Sequence, residues 1–265
     1  MIIDIHTHAF PDAVARKAIP DMAAAAQTQA RSDGTVSGLT ESARQAGVDI
    51  CVLQPVATRP GQSSKINKWT VSVRSGAIQA FGSIHPDDPD IPGVIAYLKD
   101  HGIRGVKLHP DYQAFMADEP RAFALYETLF REDMAVLFHA GVDIGLPDPV
   151  HCTPAMLSKV IKAFPKATII AGHFGGYQRW DDVEERLIGT PLYLDTAYTL
   201  PDLKPRRMVD MARRHGIDRV IFGTDSPWRD IAGEVDAVSR AGFSDAELEK
   251  ILWENAAHIL GLPAE

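Results

Sequence analysis

With 265 residues, 45% hydrophobic and 23% charged, the chain has the composition of an ordinary globular protein and apolar material for one sizeable core. Its formal net charge of -8 excludes non-specific attraction to nucleic acid or anionic membranes, and no apolar run approaches the ~20 residues that span a bilayer. Two cysteines, Cys51 and Cys152, exclude a disulfide framework and favour a reducing compartment, and Met1–His6 lacks the basic and apolar regions of a signal peptide, so the cytoplasm is expected.

In chain order, short runs rich in Val and Ile predict strands at Ile2–His6, Val48–Gln54, Ala80–His85, Ile103–His109, Ala135–His139, Thr168–His173, Leu192–Asp195 and Arg219–Asp225. Their nearly continuous hydrophobicity suits a parallel sheet covered on both faces. Helical periodicity fills the gaps at Ser63–Gln79, Ile91–Asp100, Glu119–Glu132, Pro154–Phe164, Trp180–Leu187, Lys204–His215 and Ile231–Ala241. Ser244 to Leu260 reads as one or two closing helices, opened by the capping box Ser244-Asp245-Ala246-Glu247. The region Ala9–Thr40 is too long for a simple strand-to-helix connection and is expected to be an inserted helix and loop over the barrel mouth. This alternation predicts an α/β fold, a (β/α)8 TIM barrel with an inserted segment after strand one and closing C-terminal helices, as one domain over residues 1–265.

The chemistry begins at His6-Thr7-His8. Residues i and i+2 of a strand point to one side, so both imidazoles can converge on one ion, whereas a lone pair of this kind is more often a buried histidine pair bonded to carbonyls. The company decides between these readings. Of ten histidines, six (6, 8, 85, 109, 139 and 173) fall at strand C-terminal ends, the face that carries the active site in such barrels. Asp225 ends an apolar strand, where a carboxylate is costly unless paired or bound to metal; capping the next helix is the bland alternative, and Ser226 or Asp230 can serve there instead. Gly175-Gly176 after His173 would let backbone or ligand approach closely.

Lys107 and His109 share a face of strand four. Lys107 is either a carboxylated ligand bridging a second metal, an ammonium that binds a substrate carboxylate, or a partner in a plain salt bridge. Lys107, His109 and Arg59 are the candidate substrate-binding residues, with Arg179 a further carboxylate binder. Trp228 and Arg229 follow Asp225 where a substrate wall would form, although loop packing explains them as well. His151-Cys152 are adjacent and diverge, which argues against a catalytic dyad.

The motifs Ile3-Asp4-Ile5-His6-Thr7-His8, Gly105-Val106-Lys107-Leu108-His109-Pro110, Phe138-His139-Ala140-Gly141, Gly172-His173-Phe174-Gly175-Gly176 and Gly223-Thr224-Asp225-Ser226-Pro227, with Glu254-Asn255-Ala256 near the end, resemble the amidohydrolase superfamily. The nearest likeness is to the branch that holds aminocarboxymuconate-semialdehyde decarboxylase and the amidohydrolase-related barrel hydrolases. The resemblance implies a divalent metal, most often zinc with manganese as the alternative, held by His6, His8, His139 and Asp225. It also implies His173 as acid/base and a homodimer. One ion is expected, and a second if Lys107 is carboxylated.

The expected activity is hydrolysis of a C–O or C–N bond in a small lactone, ester or amide through a metal-activated water, with His173 and Asp225 catalytic. The same parts suit a non-oxidative decarboxylase of a small unsaturated or aromatic acid. A non-catalytic ligand-binding barrel is the third reading, and it predicts no metal.

Overall fold

The computed structural model describes residues 1–263, so the last two residues of the expected domain lie outside the described part. Strand β1 (Ile3–Thr7) pairs in parallel with β2 (Ile50–Leu53), and β2 with β3 (Ile78–Ala80). A six-stranded parallel sheet follows: β4 (Gly82–Ser83), β5 (Gly105–Leu108), β6 (Ala135–Phe138), β7 (Ile169–Ala171), β8 (Tyr193–Asp195) and β9 (Val220–Ile221). β3 and β4 are two halves of one stave interrupted at Phe81, whose amide still donates to Leu53 O at 3.0 Å. The ring closes where Ile5 N donates to Phe222 O at 3.0 Å and Asp225 N to His6 O at 2.8 Å. The result is a (β/α)8 barrel, as expected.

The strands obey a period of two. On β5 and β6, Val106, Leu108, Val136 and Phe138 join the large cluster built with helix residues such as Leu98, Leu129 and Val160. Leu137 lies in a second cluster with Ile3, Ile5, Phe81, Ile170 and Ile221, packed on Ala256, Ala257 and Ile259 of the closing helix. The odd positions 107, 109 and 139 therefore carry polar groups to the mouth, while burial of the even ones holds the staves in place at roughly 1.5–3 kcal/mol per large apolar side chain.

The outer helices are α3 (Ser63–Val73), α4 (Ile91–Asp100), α5 (Pro120–Arg131), α6 (Pro154–Ala163), α7 (Trp180–Arg186), α8 (Pro205–His215) and α9 (Ile231–Ser239). The α3 boundary needs correction: the expected helix ran to Gln79, but it stops at Val73, and Ile78–Ala80 is strand. Arg74-Ser75-Gly76 breaks it, with Ser75 N bonded to Ile78 O at 2.8 Å.

The inserted region also ends earlier than expected. Helix α1 (Asp12–Ala25) is the insertion proper, with Pro20 inside it and only Ala15 and Ile19 buried. Helix α2 (Val36–Ala46) overlaps the end of Ala9–Thr40, yet it packs on β2 and α9 as the barrel's first outer helix. Thr35 Oγ1 caps it by accepting from Gly38 N at 3.0 Å, and Gly47 closes it in the left-handed conformation. Its inward stripe is only Leu39 and Ala43, too thin to stand out in the sequence.

The closing segment runs α10 (Asp245–Glu249), a π-helical turn (Lys250–Glu254) and α11 (Asn255–Leu260), and the capping box at Ser244 and Glu247 forms as expected. The wide turn frees the Ile251 carbonyl, which accepts from Phe222 N at 2.8 Å and ties the last helix to the last stave. Among the described residues, no helix is long and apolar enough to cross a membrane.

Candidate metal centre

Five of the six strand-end histidines line one cavity of about 550 Å³: His8, His109, His139 and His173 directly, with His6 just beneath them. His85 does not join. Its Nδ1 accepts from Asp87 N at 3.1 Å, and the ring serves the turn after β4.

One ligating atom each from His6, His8 and Asp225 lies within 4.8 Å of the other two. The hydrogen bonds behind them fix the protons. His8 Nδ1 faces the Gln54 carbonyl at 2.9 Å, and a carbonyl only accepts, so Nδ1 carries a hydrogen and Nε2 is the atom free to bind an ion. That atom lies 3.1 Å from Asp225 Oδ1, itself an acceptor. His6 Nδ1 is likewise held by the Asp195 carboxylate at 2.8 Å, which leaves its Nε2 lone pair 3.5 Å from the same oxygen. His8 Nε2 and the Asp225 oxygen, with His6 Nε2 beside them accepting from the Lys107 ammonium at 2.9 Å, match the donor set of zinc with positions left open.

The charges point the same way. Asp4, Asp195 and Lys107 are fully buried, and burial pushes the two carboxyls up to about 7 and the Lys107 ammonium down to about 8. Burial, reinforced by the Lys107 charge, holds His6 well below the ordinary imidazole range. Lys107 Nζ lies 2.9 Å from His6 Nε2. A divalent ion beside Asp225 would favour the ionised forms of Asp4 and Asp195 that burial otherwise disfavours.

His139, implied as the fourth ligand, stands elsewhere. Its ring stacks on His109 with centroids 4.1 Å apart and 9° between planes, and its ligating atom groups with those of His109 and Asp143. His173 lies between the groups, 5.2 Å from the His6 ring and 4.7 Å from the His139 ring. His173 Nδ1 donates to Ala197 O at 3.0 Å, so its Nε2 is an acceptor facing His139 Nδ1 at 2.9 Å. Burial lowers the basicity of His139 and His173 alike.

Backbone geometry aims these groups. His173 and Asp225 adopt φ of 56° and 66°, the left-handed region that costs a non-glycine residue about 1–2 kcal/mol. Each strand end must turn at once to keep its side chain over the mouth. Asp4 braces the turn into Asp225 by accepting from His6 N, Thr224 N and Thr224 Oγ1 at 3.1, 3.0 and 2.6 Å.

Of the candidate substrate-binding residues, Lys107 and His109 line the cavity and Arg59 does not. Arg59 is exposed because the turn through Pro60 and Gly61 carries it outward, with its amide bonded to Gln62 Oε1. Arg179 is taken by Asp182 at 2.6 Å. Gly175 and Gly176 serve packing, since a Cβ on Gly175 would come within 2.9 Å of Leu194 Cδ2. Trp228 forms part of the wall with Phe10, Val14, Ile66 and Trp69, so the insertion does cover the mouth. Arg229 instead pairs with Asp202 at 3.3 Å and lies over Tyr198.

Sequence reasoning missed Asp195, Asp143 and Asp4. Asp195 offered a signal, a carboxylate ending an apolar strand just as Asp225 does, whereas Asp143 lies in a loop with no periodic context.

The sequence profile of the family described as Amidohydrolase matches residues 3–262. Gamma-resorcylate decarboxylase from Polaromonas sp. is 27% identical over 135 residues, a match covering 44% of this chain and only 41% of that protein. Among solved structures, 5-carboxyvanillate decarboxylase from Novosphingobium aromaticivorans, complexed with manganese, superposes with a TM-score of 0.74 at 15% identity, covering 99% of this chain and 96% of that one. A protein from Pseudomonas putida described as a candidate 2-pyrone-4,6-dicarboxylic acid hydrolase gives 0.70 at 18% identity, covering 100% of this chain and 98% of that one. At these identities the structural likeness carries the fold alone.

Proposed function

We propose, from the premise that this chain belongs to the amidohydrolase family, that it is a metal-dependent hydrolase of a C–O or C–N bond in a small, carboxylate-bearing molecule. The observation that carries this reading is the Asp225 carboxylate set against the Nε2 lone pairs of His8 and His6 at 3.1 and 3.5 Å on the cavity floor. His6, His8 and Asp225 would hold a divalent ion, zinc in our reading with manganese as the alternative. His139 approaches as a further ligand only if its ring shifts from His109. A bound ion supplies Lewis-acid chemistry, polarising a substrate carbonyl and easing deprotonation of water.

The chain's own residues do the rest. Asp225 accepts the proton that water loses as its oxygen bonds to the carbonyl carbon. His173, kept neutral by burial and oriented by Ala197, relays a proton to the leaving oxygen or nitrogen as that bond breaks. Among the described residues Lys107 is the one buried ammonium at the floor, and it orients the substrate carboxylate; a carboxylated Lys107, which would help hold a second ion, is the alternative state of the same amine. Phe10, Ile66, Trp69 and Trp228 favour a flat or apolar body.

Decarboxylation is the second reading, supported by the sequence likeness to a decarboxylase. In it Lys107 holds the departing carboxylate and His173 protonates the carbon left behind. Turnover of a lactone, ester, amide and aromatic-acid panel in oxygen-labelled water separates the two. Label in the product supports hydrolysis, and carbon dioxide release without label overturns it.

A further inference from the structure

The proposed function gives no task to the tyrosine that follows β8. We infer that Tyr198 is a specificity-determining residue, a platform on which a flat substrate stacks and whose hydroxyl donates to an oxygen on that substrate. Tyr198 lines the cavity and adopts φ of 51°, in the left-handed region that a bulky residue keeps only where its surroundings hold it there. Its neighbour Ala197 accepts from His173 Nδ1 at 3.0 Å, so a molecule resting on the ring lies close to the proposed acid/base. Two phenols stand on this side of the cavity and differ in their bonding. Tyr177 spends its hydroxyl on Asp202 Oδ2 at 2.7 Å, whereas the Tyr198 hydroxyl has no hydrogen-bond partner among the described residues. A phenol left unpaired on an apolar cavity is available to a ligand.

The ring is held from behind. Arg229 lies outside the cavity lining, and its guanidinium carbon stands 4.1 Å from the Tyr198 ring centroid, so the cation backs the ring on the side away from the cavity. Arg229 spends little of its donor capacity elsewhere. It donates to Asp202 Oδ2 at 3.3 Å, and its Nε is buried without an acceptor, 3.9 Å from Glu234 Oε1. A guanidinium placed in this way serves the ring more than an ion pair. Tyr177 meets Tyr198 edge-on, with centroids 5.4 Å apart and 80° between planes. The same Asp202 oxygen accepts from both Tyr177 and Arg229, so one carboxylate ties the two supports together. A cation behind the ring draws electron density from it, which favours stacking on an electron-rich flat body and makes the hydroxyl a stronger donor.

This assignment rests on the reading of the cavity as a substrate site, but binding tests it without turnover. The probes are benzoate, its saturated analogue cyclohexanecarboxylate and the three monohydroxybenzoates, titrated into zinc-reconstituted protein by calorimetry, with metal content and thermal melts checked for each variant. The wild type is expected to bind benzoate about 2–10-fold more tightly than cyclohexanecarboxylate, and at least one hydroxybenzoate more tightly still. Tyr198→Leu should remove most of the preference for the flat acid while keeping the affinity for cyclohexanecarboxylate, and Arg229→Met should reduce it. Tyr198→Phe should keep that preference and lose the hydroxybenzoate advantage, about 2–10-fold, the usual worth of one hydrogen bond. A wild type that does not distinguish the flat acid from the saturated one, or a preference undiminished in Tyr198→Leu, overturns the assignment and leaves the hydrolase reading to its own test in labelled water. Unchanged affinity for every hydroxybenzoate in Tyr198→Phe overturns it as well.

Discussion

His8 Nε2 faces Asp225 Oδ1 at 3.1 Å while its Nδ1 donates to the Gln54 carbonyl at 2.9 Å, so the ring has a hydrogen for Asp225 only when it carries two. Two acceptors held this close repel one another unless a cation, a metal ion or a ring proton, lies between them, and the metal is the one the family profile favours. Replacing His6 and His8 together by Ala should therefore abolish metal binding and reduce activity to background. The fold should persist, since neither ring belongs to the apolar clusters. Metal analysis with circular dichroism checks both halves.

His173→Asn should keep the ion of the first group and lose about 10²–10⁴-fold in turnover, the usual worth of a positioned acid/base. An unchanged kcat on the true substrate would remove His173 from its role.

Asp195→Asn tests the support behind His6. The 2.8 Å bond from His6 Nδ1 then meets an amide in place of an anion, and affinity for the metal should fall about 10–100-fold with the apolar core untouched. Equilibrium dialysis against a competing chelator measures it, and an unchanged affinity contradicts the tautomer assignment.

These predictions show how unevenly the sequence spoke. The eight staves were legible because most of their residues are apolar, so strands as short as Val220–Ile221 still announced themselves. Helix α2 was not, since Leu39 and Ala43 give it too small an inward stripe. His6, His8, His173 and Asp225 stood out as polar residues ending apolar runs. Asp143 did not, because a loop residue reaches its partner His109 only through the path of the chain in three dimensions. Arg59 misled for the same reason: charge is visible in sequence, and the direction of a turn is not.

Gly141 adopts φ of 87°, and a Cβ there would overlap the backbone of Gly176 and Tyr177. Gly141→Ala should cost more than about 2 kcal/mol, since neither strained backbone nor packed main chain can yield cheaply. Urea unfolding measures this, and a loss below about 0.5 kcal/mol, typical of surface changes, would show that the two loops move apart freely.

Acid should weaken the metal-free protein. Burial holds His6, His109, His139 and His173 below the ordinary imidazole value of 6.5, so below that pH the unfolded chain takes up protons that the fold refuses. Asp4 and Asp195, raised from 3.8 to about 7, act oppositely between those values, binding protons in the fold first and adding stability as pH falls. With His85 and His215 also lowered, six imidazoles oppose the four raised carboxyls of Asp4, Asp195, Asp111 and Glu234, so denaturant midpoints of chelated protein should fall as pH drops from 6.5 toward about 5. A rising midpoint would contradict this balance.

The central claim is that a cation joins the first strand to the last. Diffraction data collected on either side of a metal absorption edge, from crystals of protein grown with zinc, address it directly. The expected result is an anomalous peak about 2.0–2.2 Å from His6 Nε2, His8 Nε2 and Asp225 Oδ1. A map without that peak, with His8 Nε2 still within hydrogen-bond distance of Asp225 Oδ1, would contradict it.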